Sequence, residues 1–97
     1  MMKSDIGVLV EQVLTQQVLA QIEQDLTEVE ANNPYKRQAK IIRFLREMKR
    51  LDQKQLGQLL GVDHSTISRY ERLGCNDFKV ICQLARIFGT SLDVFSV

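Results

Sequence analysis

The stretch QKQLGQLLGVDHSTISRYER, from Gln53 to Arg72, decides how this chain folds. It reads as two short helices around a tight link. The first covers about Gln53–Leu60. Asp52 stands before it as an N-cap, and Gln55 follows at the spacing of a capping box. Gly61 ends it as a C-terminal glycine does. The second covers about His64–Arg72, with Asp63 as its cap. Only Gly61, Val62 and Asp63 separate the two. A link this short, with a glycine in it, lets two helices cross steeply and touch, which is the geometry of a helix-turn-helix. Gly57 agrees with that. A glycine inside a helix costs roughly 1 kcal/mol relative to alanine, and it is kept most readily where another backbone comes close. The second helix is expected to pass over the first at that point. Leu56, Leu60, Val62, Ile67 and Tyr70 then form the small core that locks the pair.

On either side of this stretch the periodicity predicts more helix. Before it, a helix over about Lys36–Arg50 places Ile41, Leu45 and Met48 on an inward stripe and Lys40, Arg43 and Lys49 outward. After it, a helix over about Phe78–Phe88 is capped by Asp77 and ended by Gly89. A short one near Leu92–Phe95 follows, with Ser91 as cap. Towards the N-terminus, Asn32-Asn33-Pro34 is a stop, because Pro34 disfavours helix at Asn33. Beyond the stop, Asp5–Glu30 reads as one long helix with Ser4 as cap and two apolar stripes. Ile6, Leu9, Val10 and Val13 share one face. Leu14, Val18, Leu19, Ile22, Leu26 and Val29 share another. Leu19, Ile22, Leu26 and Val29 have coiled-coil spacing, though over less than two heptads. No segment alternates with period two. The fold class is therefore all-α: a compact five-helix domain over 35–97, preceded by a long acidic helix within 1–34.

Composition bounds the rest. A chain of 97 residues with 44% hydrophobic and 26% charged residues has room for one core. The net charge of +1 hides an asymmetry. Residues 1–35 set Lys3 against Asp5, Glu11, Glu23, Asp25, Glu28 and Glu30, a net −5, whereas 36–97 set twelve Lys and Arg against six Asp and Glu, a net +6. The two parts suit different partners, and the basic one can approach phosphates. Cys75 and Cys82 are too few for a disulfide framework, and with His64, the one histidine, too few for a metal site. No metal or cofactor is expected. No apolar run is long enough for a membrane span, and the first residues lack a signal-peptide pattern, so a cytoplasmic location is expected.

The chain resembles the lambdoid repressor and Cro type, the XRE family, at particular residues. These are Leu45-Arg46-Glu47, Leu51-Asp52-Gln53, Leu56, Leu59-Leu60-Gly61-Val62 and Ser65 to Arg72, continued by Leu84-Ala85, Gly89 and Ser91-Leu92-Asp93. The match covers about Gln38–Phe95. It implies a five-helix domain that binds operator DNA, usually as a dimer, and often represses transcription. It also implies an ion pair between Arg46 and Glu71, and a phosphate contact at Gln53. Two residues depart from the pattern: Gly57 stands where alanine is usual, and Arg50 where glycine is often found. Asp63 sets a negative cap close to where phosphate should run. The helix over 5–30 lies outside the resemblance.

In a docked helix-turn-helix the N-terminal residues of the second helix face base edges. Here they are His64, Ser65 and Thr66, with Arg69 one turn on. Arg69 is the strongest base reader, since its fork can bond guanine O6 and N7 together; the plainer alternative is a surface arginine beside Glu71 or a phosphate. Ser65 and Thr66 can equally serve the helix start, and His64 can be a solvated surface residue. Gln53 sits at a helix N-terminus, where N–H groups and the dipole favour an anion. Lys54, Arg50, Ser68 and Arg72 are the further phosphate candidates, each alone an ordinary surface residue.

Three function classes compete. The leading one is a sequence-specific DNA-binding regulator acting on double-stranded DNA, a repressor that binds as a homodimer. An antitoxin that autoregulates its operon uses the same domain. The acidic helix favours a protein-binding arm, for self-association or for a partner such as a toxin; its plainer role is packing on the domain. The second class is a protein-interaction module that has lost DNA binding, whose mark would be missing basic residues. Lys54, Arg69 and Arg72 are present. The third is an enzyme, for which there is no nucleophile–base pair or carboxylate cluster.

Overall fold

A side-chain oxygen starts each of the four α-helices that run between Asn33 and Gly89. The computed structural model describes residues 16–17, 19–22, 26 and 32–96. Within them run α1 (Pro34–Met48), α2 (Gln53–Leu60), α3 (His64–Leu73), α4 (Phe78–Phe88) and a 3₁₀ turn (Leu92–Phe95), with no strand among the described residues. Asn33 Oδ1 accepts from the amides of Tyr35, at 3.1 Å, and Lys36, at 3.3 Å. Asp52 and Gln55 form a reciprocal capping box, with bonds of 2.6 and 2.8 Å. Asp63 accepts from the Thr66 amide at 3.0 Å, and Asp77 from the Lys79 amide at 3.0 Å. Each cap satisfies amides that have no partner inside the helix.

Several boundaries differ from the expectation. α1 begins at Pro34, not Lys36, because proline suits the first helical position and Asn33 caps it. Asn33-Pro34 is thus a start as well as a stop. α1 ends at Met48, since Arg50 adopts a left-handed φ of 56°. α3 runs on to Leu73. The 3₁₀ turn has no side-chain cap from Ser91. The inward stripe of α1 is Gln38, Ile41, Ile42 and Leu45, spaced i, i+3, i+4, i+7. Met48, expected inside, is 42% exposed, because the last turn of α1 overhangs the core.

The core gathers Ile41, Ile42 and Leu45 of α1, Leu56 of α2, Ile67 of α3, Ile81, Leu84, Ala85 and Phe88 of α4, and Phe95 of the 3₁₀ turn. Ile22 joins them at 1% exposure, and Leu19 and Leu26 pack against the cluster. Residues 16–17 and 19–22 are helical. Most of the expected helix over 5–30, its cap Ser4 and its stripe Ile6, Leu9, Val10 and Val13 lie outside the described residues.

One buried polar residue ties the ends of the domain together. Gln38, 1% exposed, accepts from the Cys75 amide at 2.6 Å and donates to the Phe95 carbonyl at 3.1 Å. It thereby joins α1 to the α3–α4 loop and to the 3₁₀ turn. The loop can reach Gln38 only because Gly74 has φ 80° and ψ −175°, a region open to glycine. A Cβ there would lie 2.8 Å from Gln38 Oε1 and from the Tyr35 carbonyl.

Two substitutions test this account by urea denaturation. Gln38→Leu is expected to lower stability by about 2–4 kcal/mol, since two buried backbone groups lose their partner. Arg50→Gly is expected to raise it by about 1 kcal/mol, because glycine holds the left-handed corner without a Cβ clash.

Candidate nucleic-acid interface

The recognition surface rests on how α2 meets α3. Leu56 and Ile67 are fully buried against each other's helices, with Leu60, Val62 and Tyr70 half-buried around them. Gly61, at φ 77°, closes α2, and Gly57 lets the turn fold back on it. A Cβ on Gly57 would stand 2.6 Å from the Val62 carbonyl oxygen and 3.3 Å from the Asp63 carbonyl carbon. The close approach therefore comes from the turn, one step before the helix expected to make it. The Val62 amide donates to the Gly57 carbonyl at 2.8 Å and fixes the turn.

This packing leaves one side of α3 open. His64, Ser65, Arg69 and Arg72 are exposed, and Thr66 and Ser68 are half-buried. The Thr66 hydroxyl donates to Asp63 Oδ1 at 2.6 Å. Its proton is thus held by the cap, and towards DNA it offers acceptor lone pairs. That hydrogen bond, reinforced by the Thr66 amide, holds the Asp63 carboxyl below the usual carboxylate range. Arg69 extends over Tyr70, its guanidinium carbon 5.9 Å from the ring centroid.

The phosphate candidates divide. Gln53 and Lys54, from the first turn of α2, line one shallow concavity with His64, Arg46 and Asp52. His64 thus stands beside the expected phosphate ligands and apart from Arg69, which lines a second cleft with Tyr35, Tyr70 and Asn76. Arg50 is exposed on the α1–α2 corner. The Arg72 carbonyl accepts from Lys36 Nζ at 2.9 Å, which places a cation at the C-terminal end of α3. No local signal marks Lys36 for that role, because the two residues are far apart in sequence.

Beneath the surface, Arg46 and Glu71 form a two-pronged ion pair. Nε and Nη2 of Arg46 donate to the two Glu71 oxygens at 2.6 and 3.0 Å, and Nη1 donates to the Leu51 carbonyl at 2.7 Å. The Glu71 side chain is 4% exposed. Gln53 Nε2 also reaches Glu71, at 3.4 Å. The hydrogen bond to Glu71 raises the Arg46 pKa above its already high ordinary value. Both cysteines are free thiols, and burial pushes that of Cys75 up. Among the described residues no His, Cys, Asp and Glu cluster could hold a metal ion, and no helix is long and apolar enough to cross a membrane.

A family model described as helix-turn-helix matches residues 42–95, over half of the chain. The chain belongs to the XRE helix-turn-helix family, of Cro/C1 type. It is a DNA-binding transcription regulator of that type. Comparison with curated proteins and with solved structures gives no match. The family match begins inside α1, so Ile22 and Ile41 lie before it while forming part of the same core, and the buried polar Gln38 beside that core lies before it too.

Arg46→Ala is expected to cost about 3–5 kcal/mol in equilibrium unfolding, because it leaves the Glu71 carboxylate buried and unpaired. Replacing both residues with methionine should recover most of that loss. Equal loss in the single and double variants would show that the cost is not that of an unpaired buried carboxylate.

Proposed function

We propose that this regulator is a repressor that binds its operator as a homodimer, each copy laying α3 in the major groove. The observation that carries the reading is the exposed row His64, Ser65 and Arg69 on α3, with His64 beside Gln53 and Lys54 of the first turn of α2. Arg69 reads a guanine, and His64, Ser65 and Thr66 meet neighbouring base edges. Gln53, Lys54, Arg50, Ser68 and Arg72 hold the flanking phosphates. The net +6 of residues 36–97 supports this assignment. A single helix-turn-helix buries too little surface for tight specific binding, so two copies take half-sites about 34 Å apart. The work is done in the cytoplasm.

The net −5 of residues 1–35 favours a second reading, that of an antitoxin. There the N-terminal helix within 1–34 is an arm that takes a protein partner such as a toxin, or contributes to self-association, while the helix-turn-helix domain over 35–97 autoregulates the operon.

Fluorescence titration on an operator selected from random duplex is the test. Affinity should fall roughly 10- to 1,000-fold between about 50 and 200 mM salt, with two chains bound per operator. Arg69→Ala should relax the preference for one base in each half-site, and Lys54→Ala should weaken all sequences about equally. Salt-independent binding, or one chain per site, would sink the proposal.

A further inference from the structure

Arg69 is the longest and most flexible of the residues assigned to base edges, and a guanidinium reads a guanine only if both prongs arrive in one plane. An unsupported arginine loses rotamer freedom when it does so. In this protein the Arg69 guanidinium is not unsupported. It lies over the Tyr70 ring, 5.9 Å from the centroid, at the mouth of a cleft walled by Tyr35, Tyr70 and Asn76. Tyr70 is half-buried and packed against the core, and it shares the cleft with buried Cys75. The ring thus packs against the interior and also meets the cation.

The geometry points to Tyr70 as a positioning residue for base readout: its ring holds the Arg69 guanidinium ready for guanine without itself reaching DNA. This inference rests on the assignment of Arg69 to a base edge and deepens it. Adjacent positions on a helix diverge by about 100°, so side chains at i and i+1 do not ordinarily support one another. The pairing arises because Arg69 bends across to a ring anchored from below. A cation over an aromatic face at an exposed site corresponds to a factor of about two to five in occupancy of the held geometry. The effect appears in specificity, because duplex of any sequence needs only the charge of Arg69, while guanine needs its orientation.

The experiment uses the full chain and a duplex library randomised over about 30 base pairs, long enough for two half-sites. Arg69→Ala first identifies the base position whose preference it relaxes. Tyr70→Phe keeps the ring face and should retain the preference at that position. Ring-perfluorinated phenylalanine at position 70 keeps the packing volume but inverts the charge distribution of the ring face. It should reduce the preference there about two- to five-fold, leaving affinity for unrelated duplex unchanged. Full preference with the fluorinated ring overturns the inference. So does an equal loss in Tyr70→Phe, which would assign the effect to the hydroxyl, or an equal loss of affinity for all sequences, which would make Tyr70 a packing residue only. If Arg69→Ala relaxes no position, the base-reading assignment itself fails and this inference falls with it, a result visible before position 70 is changed.

Discussion

The bidentate bond between Arg46 and Glu71 is the constraint around which the DNA-facing half of this protein is arranged. Arg46 belongs to α1 and Glu71 to the end of α3, and the third prong of the guanidinium holds the Leu51 carbonyl at the α1–α2 corner. Gln53 reaches the same carboxylate from the start of α2. One nearly buried carboxylate therefore fixes the relative placement of three helices. Such a pair adds little net stability compared with apolar residues of similar size, since both charges leave water. Its worth lies in directionality. A planar fork against a planar carboxylate admits one arrangement, whereas an apolar contact admits many.

The surface geometry follows from that arrangement. With α2 and α3 held by Glu71 at one end and by the tight Gly57–Val62 approach at the other, the exposed edge of α3 has one orientation relative to the first turn of α2. This is why His64 and Lys54 share a concavity although each leads a different helix. It also separates the surface into two regions, one beside the α2 N-terminus and one around Arg69, Tyr70 and Tyr35. The Asp63 cap sits between the helices and accepts hydrogen bonds from the Thr66 hydroxyl and amide.

Away from that surface the domain is closed by residues outside the family match. Gln38 draws the α3–α4 loop and the C-terminal 3₁₀ turn onto α1, and Ile22 fills the core from the N-terminal side. Leu19, Ile22 and Leu26, which have the spacing of a coiled-coil seam, are taken up by the core of their own chain. A helix stripe records that apolar surface must be covered but carries no information about what covers it.

Local chemistry determined much of this protein. The bounds of α2 and α4 and the start of α3 could be read directly, because Asp52, Asp63, Asp77, Gly61 and Gly89 act on amides and carbonyls within four residues of themselves. The family pattern around Gln53–Arg72 was legible for the same reason, since a tight turn restricts residue types position by position. The start of α1 was missed although Asn33-Pro34 carried it, because that pair both stops one helix and starts another. Tertiary structure alone decided the long-range pairs: Gln38 with Cys75 and Phe95, Lys36 with Arg72, and Ile22 with the core. It alone decided that Tyr70 is both a core residue and the support of Arg69. Hydrogen bonds between residues dozens of positions apart leave no period and no spacing in a single sequence. They exist only once packing has brought the groups within about 3 Å.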